Sequence, residues 1–186
     1  MTPNMAFERD APKAAAPQLY VSRPNKEKKM IRGLKLVHFG GLVIFLGSIL
    51  TFIVISALIE GASLENIAFG RKIISTGTNV LTLPGMWALA ITGVWMGYKR
   101  YGLKQRFFQL KLLLITLVII NAYFFIVPSV ASATEIAVRS LAQGQLLPEY
   151  KAAYMQESIF GAVNVLLTVA AAVIGVWKVG AKSTHG

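Results

Sequence analysis

Residues 33–50 read GLKLVHFGGLVIFLGSIL, an apolar run that is typical of a helix crossing a lipid bilayer. The run contains His38, and the chain's one other histidine, His185, is next to the C-terminal residue. An ionisable side chain is costly to place in lipid, so an imidazole inside a membrane helix is a candidate functional group. It can act as a ligand, as a proton carrier or as a surface anchor, depending on what the rest of the chain places around it.

Three further apolar stretches of about twenty residues follow the first one. The four predicted spans are approximately 32–59, 73–98, 107–128 and 158–178. A hydrophobic content of 55% with only 15% charged residues also fits a membrane protein rather than a soluble domain. We therefore expect an all-α fold, a four-transmembrane-helix bundle. The third helix is predicted to extend beyond the membrane after Pro128 and to break at Gly144 or Pro148.

The chain is predicted to have three parts. Residues 1–30 form a basic arm rich in Pro and Ala, residues 31–180 the transmembrane domain, and residues 181–186 a short tail. The arm has few large apolar residues, so it is predicted to be disordered when it is alone. It also lacks the apolar central region of a cleavable signal peptide, so none is expected. The chain contains no cysteine, which excludes disulfides, iron–sulfur clusters and thiol catalysis.

Charged residues are distributed unevenly between the two sides of the predicted membrane domain. The side with both termini and the connection between the second and third spans carries +12, and the opposite side carries −1. The positive-inside rule then predicts a bacterial inner (cytoplasmic) membrane protein with both termini in the cytoplasm. The basic arm would lie against anionic lipid headgroups. We expect no nucleic-acid partner, because no nucleic-acid-binding pattern accompanies the charge.

Small and polar residues within the spans predict how the helices pack. Pro84 is expected to kink the second helix, and residues 60–72 are expected to form a loop in the membrane interface. Glycines at helical spacing in the second span predict close approach of a neighbouring helix: Gly85, Gly93 and Gly97. Amides inside the spans predict hydrogen bonds between helices: Asn79, Asn121 and Asn164.

His38 and Lys111 are the two ionisable residues predicted to lie inside the spans. Each is expected roughly 7–9 Å from the cytoplasmic start of its helix, so the two lie at one level. An imidazole is a common axial ligand of haem iron, a deprotonated lysine amine can also ligate, and Gly40 and Gly41 leave room for a flat macrocycle. The alternative is that Lys111 extends its ammonium to the membrane surface and His38 bonds a phosphate or a carbonyl.

Four motifs resemble the helices of a superfamily of small four-helix membrane proteins that includes HemJ-type protoporphyrinogen oxidases and CopD-type copper proteins. They read LKLVHFGGLVIFLGSIL, LPGMWALAITGVWM, FFQLKLLLITLVI and IVPSVASATEIAVRSLAQG. The last motif is most similar to an uncharacterised branch of predicted integral membrane proteins. The resemblance implies that His38 and Lys111 bind a b-type haem, with His38 as the ligand of the haem iron.

Two functions from different classes follow. The first is a b-haem membrane protein with a redox or haem-biosynthetic role and a quinone or another membrane carrier as electron partner. The second is a non-catalytic accessory or assembly subunit of a larger respiratory or photosynthetic complex; the missing Asn-Glu-x-Pro pattern of the HemJ-type fourth helix favours it. Either way we expect contact with another membrane chain, identical or different. A copper site is less favoured, because Met86 and Met96 are far apart along one helix.

Overall fold

The computed structural model describes residues 25–177, with side chains from residue 28, and these residues form four helices. They are α1 (Asn25–Ile59), α2 (Leu64–Tyr101), α3 (Arg106–Gln143) and α4 (Glu149–Trp177). All four are long and apolar enough to cross a membrane, which confirms the predicted bundle. Most of the predicted arm and the whole predicted tail lie outside the described residues.

Three helices begin earlier than their apolar stretches predict. α2 begins at Leu64, where the Ser63 side chain accepts a hydrogen bond from the Asn66 amide at 3.4 Å. The prediction of an interfacial loop over residues 60–72 is therefore wrong, because residues 64–72 are helical. α1 begins at Asn25 rather than at 32, and α4 begins at Glu149, in agreement with the helical approach to its span that residues 148–158 predict. Hydropathy locates the apolar part of a helix and misses polar turns that extend it.

Both central helices contain a five-residue π-helical segment just before a proline. The segments are Thr78–Thr82 before Pro84 in α2 and Ala122–Ile126 before Pro128 in α3. Proline lacks an amide hydrogen and its ring clashes with the carbonyl four residues earlier, and a wider turn relieves that clash. The distortion of the helix that was expected at Pro84 is therefore a π-helical segment, and an equivalent segment precedes Pro128. α3 ends where predicted, with Gly144 at a φ of 72° as its left-handed cap.

The helices pack as two pairs that meet at one end. α1 packs along the second half of α2, and α4 packs along α3. The first half of α2 packs on the second half of α3, whereas their other halves make few contacts. We call the side with the α1–α2 and α3–α4 connections the acidic end and the side with the α2–α3 connection the basic end. The two pairs pack closely at the acidic end and make fewer contacts towards the basic end, where the connection 102–105 links them and Gly97 packs on the Phe108 ring.

The centre of the bundle is a small apolar cluster from three helices. Its buried members are Phe45, Met86, Val118 and Ala122. Beside it, α1 and α2 approach so closely that a Cβ on Gly41 would be 2.9 Å from the Leu89 amide nitrogen. Gly41 thus lies in a helix contact, and the expectation that it leaves room for a macrocycle is wrong.

Hydrogen bonds from a buried amide side chain hold α3 against α4. The Asn121 amide donates to the Phe160 carbonyl at 2.8 Å and to the Asn164 side chain at 3.2 Å, with both asparagines buried. The interhelical role predicted for these two amides is confirmed. Asn79 differs, because its exposed amide donates at 2.9 Å to Ser75 of its own helix.

Candidate functional site

The two predicted site residues border the same space at the basic end of the bundle. His38 projects from α1 and Lys111 from α3, so they come from different helix pairs. Both line an inner cavity of about 110 Å³ and a wider one of about 670 Å³. The cavities also share Gly93 as a lining residue. The gap between the helix pairs therefore brings the predicted residues to one site.

The imidazole of His38 is oriented by two groups of α2. Its Nδ1 lies 3.1 Å from the Leu89 carbonyl oxygen and 3.0 Å from the Thr92 hydroxyl oxygen. A carbonyl can only accept, which assigns the ring proton to Nδ1. Thr92 in turn donates to the Ala88 carbonyl at 2.5 Å. The lone pair of Nε2 therefore remains available, which is the arrangement of a histidine prepared to bind a metal.

Glycines make room for both functional side chains. A Cβ on Gly93 would be 3.0 Å from Cε1 of His38, and a Cβ on Gly175 would be 3.0 Å from Nζ of Lys111. Either distance is shorter than ordinary carbon contacts. Gly93 was predicted to admit a neighbouring helix, and the part of α1 that it admits is the His38 ring. Gly175 was not singled out, because in the sequence it is one more small residue in an apolar helix.

The wider cavity is lined by positive charge. Besides Lys111, its basic lining residues are Lys35, Lys99 and Arg100, and it includes no acidic residue. Within residues 28–177 the salt bridges are those of Glu157 with Arg71 and Glu135 with Arg139, so none involves these basic residues. Clustered cations in a concave site attract an anionic group.

The acidic end contains a buried ion pair that sequence reasoning missed. Arg71 of α2 is 0% exposed and forms a salt bridge with Glu157 of α4. The Thr134 hydroxyl also donates to the Arg71 carbonyl at 3.2 Å. In the sequence both charges were counted as part of extramembranous segments. The available signal was the cap at Ser63, which starts α2 early enough to place Arg71 two turns inside the helix.

The donor set fits a haem better than a multi-ligand metal ion. No group of three or more His, Asp or Glu side chains converges within the described part of the chain. Met86 borders the inner cavity and Met96 the wider one, so they provide no common thioether site. A haem iron needs only one or two axial ligands from the protein.

Comparison with known protein families, curated proteins and solved structures found no match. The resemblance to the HemJ/CopD-like superfamily therefore stays an interpretation of the four motifs. Function has to be argued from the site itself.

Proposed function

We propose that this chain binds a b-type haem between α1 and α3 and serves a redox or haem-biosynthetic role. Its location is the bacterial inner (cytoplasmic) membrane, with both termini in the cytoplasm. The observation that carries the proposal is the state of His38, whose Nδ1 is bonded to α2 and whose Nε2 remains available beside the cavity shared with Lys111. A bound haem supplies one-electron redox chemistry.

The rest of the site complements the other parts of a haem. The wider cavity of about 670 Å³ has apolar walls that include Leu34 and Phe108 and suit a macrocycle, whereas the inner cavity of about 110 Å³ is too small for one. The basic side chains of the wider cavity suit two anionic propionates, because charge-assisted hydrogen bonds to carboxylates are strong. The wider cavity would accordingly hold the haem, and Lys35, Lys99 and Arg100 would be available to its propionates.

Lys111 has two roles that an experiment can separate. As a neutral amine it would be a second ligand of the iron, and as an ammonium it would pair with a propionate. Substitution by Met removes the amine but retains an unbranched side chain of similar length. A changed spectrum with retained haem indicates the ligand role, whereas an unchanged spectrum with weaker haem binding indicates the ion pair.

The absorption spectrum of the protein purified in mild detergent tests the proposal. We expect a Soret band, bound haem near one per chain, and loss of both in His38→Ala. The matched control is His185→Ala, which removes the only other histidine and should keep the pigment. A colourless protein that is folded and resists added haem would refute the proposal and favour an accessory subunit. Equal haem content in the two histidine variants would show that His38 does not bind the haem.

A further inference from the structure

A third cavity, of about 280 Å³, lies in the acidic half of the bundle and is lined by all four helices. Phe45 and Met86 border both this cavity and the inner cavity of the His38 site, so they form the wall between them. Within the described residues α1 and α4 share no extensive contact. The gap between α1 and α4 therefore gives the cavity a route to the lipid phase.

Three hydroxyl groups around this cavity already have partners. The hydroxyls of Thr78 and Ser158 donate to carbonyls of their own helices, and Thr82 bonds Ser48 at 2.8 Å. In residues 28–177 four groups differ: the Ser56 hydroxyl of α1 and, on α4, the Asn164 amide nitrogen, one Glu157 oxygen and the Tyr154 hydroxyl. The Glu157 carboxylate uses Oε2 for Arg71 and keeps Oε1 without a protein partner in residues 28–177, and the Tyr154 hydroxyl has no hydrogen bond within that range.

The Glu157 carboxylate and the Tyr154 hydroxyl define the chemistry of a ligand. An ionised carboxylate accepts a hydrogen bond, and a phenol donates or accepts one. The walls are otherwise apolar and include the rings of Phe45 and Phe52. The ligand should therefore be a flat ring with polar atoms at its edge and an apolar tail that reaches the lipid. An acyl chain of a phospholipid has no polar atoms for Glu157 and Tyr154.

We propose that this cavity binds the ring of a membrane quinone or quinol. A quinol hydroxyl donates to Glu157 Oε1, and a quinone carbonyl accepts from the Tyr154 hydroxyl. Arg71 is a positioning residue, because its salt bridge holds the carboxylate at the cavity wall. Binding requires no haem. The further assignment of this quinone as the electron carrier of the chain rests on the proposed haem function.

Gly161 offers a direct way to fill the cavity. It lines the cavity, and a Cβ there would meet nothing within 4 Å, so Gly161→Leu occupies the ring site without displacing backbone. Gly47→Leu is the matched control, since Gly47 is exposed, also has open space at Cβ and lines none of the three cavities. Tyr154→Phe removes one hydrogen-bonding group and keeps the ring.

The experiment incubates the detergent-purified full chain with a short-chain quinone. It measures how much quinone stays bound to the protein through gel filtration. We expect binding by the wild type and Gly47→Leu, a loss of at least about tenfold in Gly161→Leu, and a loss of several-fold in Tyr154→Phe. Equal retention by Gly161→Leu and the wild type would overturn the proposal. Extraction of tightly bound phospholipid from the cavity, with no competition by quinone, would overturn it as well.

His38→Ala separates this proposal from the haem function. Quinone binding by this variant should equal that of the wild type, because Glu157 and Tyr154 are on the other side of the Phe45–Met86 wall. A protein that binds quinone but never haem contradicts the haem function alone. A pigmented, folded protein that binds no quinone contradicts the quinone site alone.

Discussion

The two ends of the bundle differ in whether their ionisable side chains have a partner of opposite charge. At the acidic end, Arg71 is fully enclosed and is neutralised by Glu157 from another helix. At the basic end, His38 and Lys111 border open cavities, and neither forms a salt bridge within the described residues. Ionisable groups are expensive in both places. The first pair balances its charge within the chain, although Nε and Nη1 of Arg71 are buried without a hydrogen-bond partner in the described residues, whereas the second pair has no opposite charge beside it there.

Helix packing gives the same contrast a structural basis. The α1–α2 and α3–α4 pairs pack together at the acidic end, where the Arg71–Glu157 bridge also links α2 to α4. Beyond the π-helical segments the two pairs make fewer contacts until the connection 102–105, and the cavities beside His38 lie in this stretch. We therefore expect substitutions at the acidic end to change stability and substitutions at the basic end to change ligand binding.

The largest effect is expected from Glu157→Leu. It leaves the guanidinium of Arg71 buried without a carboxylate, and the loss of one partner of a buried pair costs about 3–5 kcal/mol. The free energy of unfolding in detergent, or the yield of folded protein, measures it. The double variant Arg71→Met/Glu157→Leu should recover most of that loss, because no charge remains buried. If the single and double variants lose the same stability, the ion pair is not what joins the helix pairs.

Thr92→Val sharpens the comparison at the basic end. It removes a hydrogen-bonding partner of His38 at nearly constant volume, and the loss of such an outer partner lowers metal affinity by about tenfold or more. Haem titration measures the affinity, and stability should change little. The control is Thr116→Val, because the exposed Thr116 hydroxyl bonds only Leu112 of its own helix. Equal haem affinity in both variants would show that Thr92 does not orient the imidazole.

Much of the fold was predictable because each span is marked by its own residues. Four apolar stretches define the four helices, and Gly144 marks the end of α3 by local conformation alone. The start of α2 was missed because its first turns are polar. Hydropathy assigned Leu64–Gly77 largely to a loop, although Ser63 and Glu65 are typical of a helix start.

The candidate site was predictable in its residues and not in its surroundings. His38 and Lys111 stand out in the sequence, because ionisable residues are rare in apolar helices. The partners Leu89 and Thr92 and the small residue Gly175 do not stand out, since only the packing of the helices brings them to the site. The Arg71–Glu157 bridge joins residues 86 positions apart, and a single sequence has no local signal for such a pair.

The smallest effect is expected from Asn121→Leu. Hydrogen bonds between membrane helices contribute about 0.6 kcal/mol on average, so losing the contacts to Phe160 and Asn164 should cost about 1 kcal/mol. Thermal unfolding in detergent measures this. Asn79→Leu is the control, because that amide bonds only its own helix and should be close to neutral. A larger loss for Asn79→Leu than for Asn121→Leu would contradict the assigned packing of α3 on α4.

The central claim is that His38 is the haem ligand, and magnetic resonance of a single labelled residue tests it most directly. His185→Ala protein grown with ¹⁵N-histidine carries the label in one side chain, that of His38. The account predicts that the ferric haem spectrum shows a strong hyperfine coupling to ¹⁵N, from the ring nitrogen bound to iron. A pigmented protein without that coupling would contradict the account, because the haem would then be held by another residue.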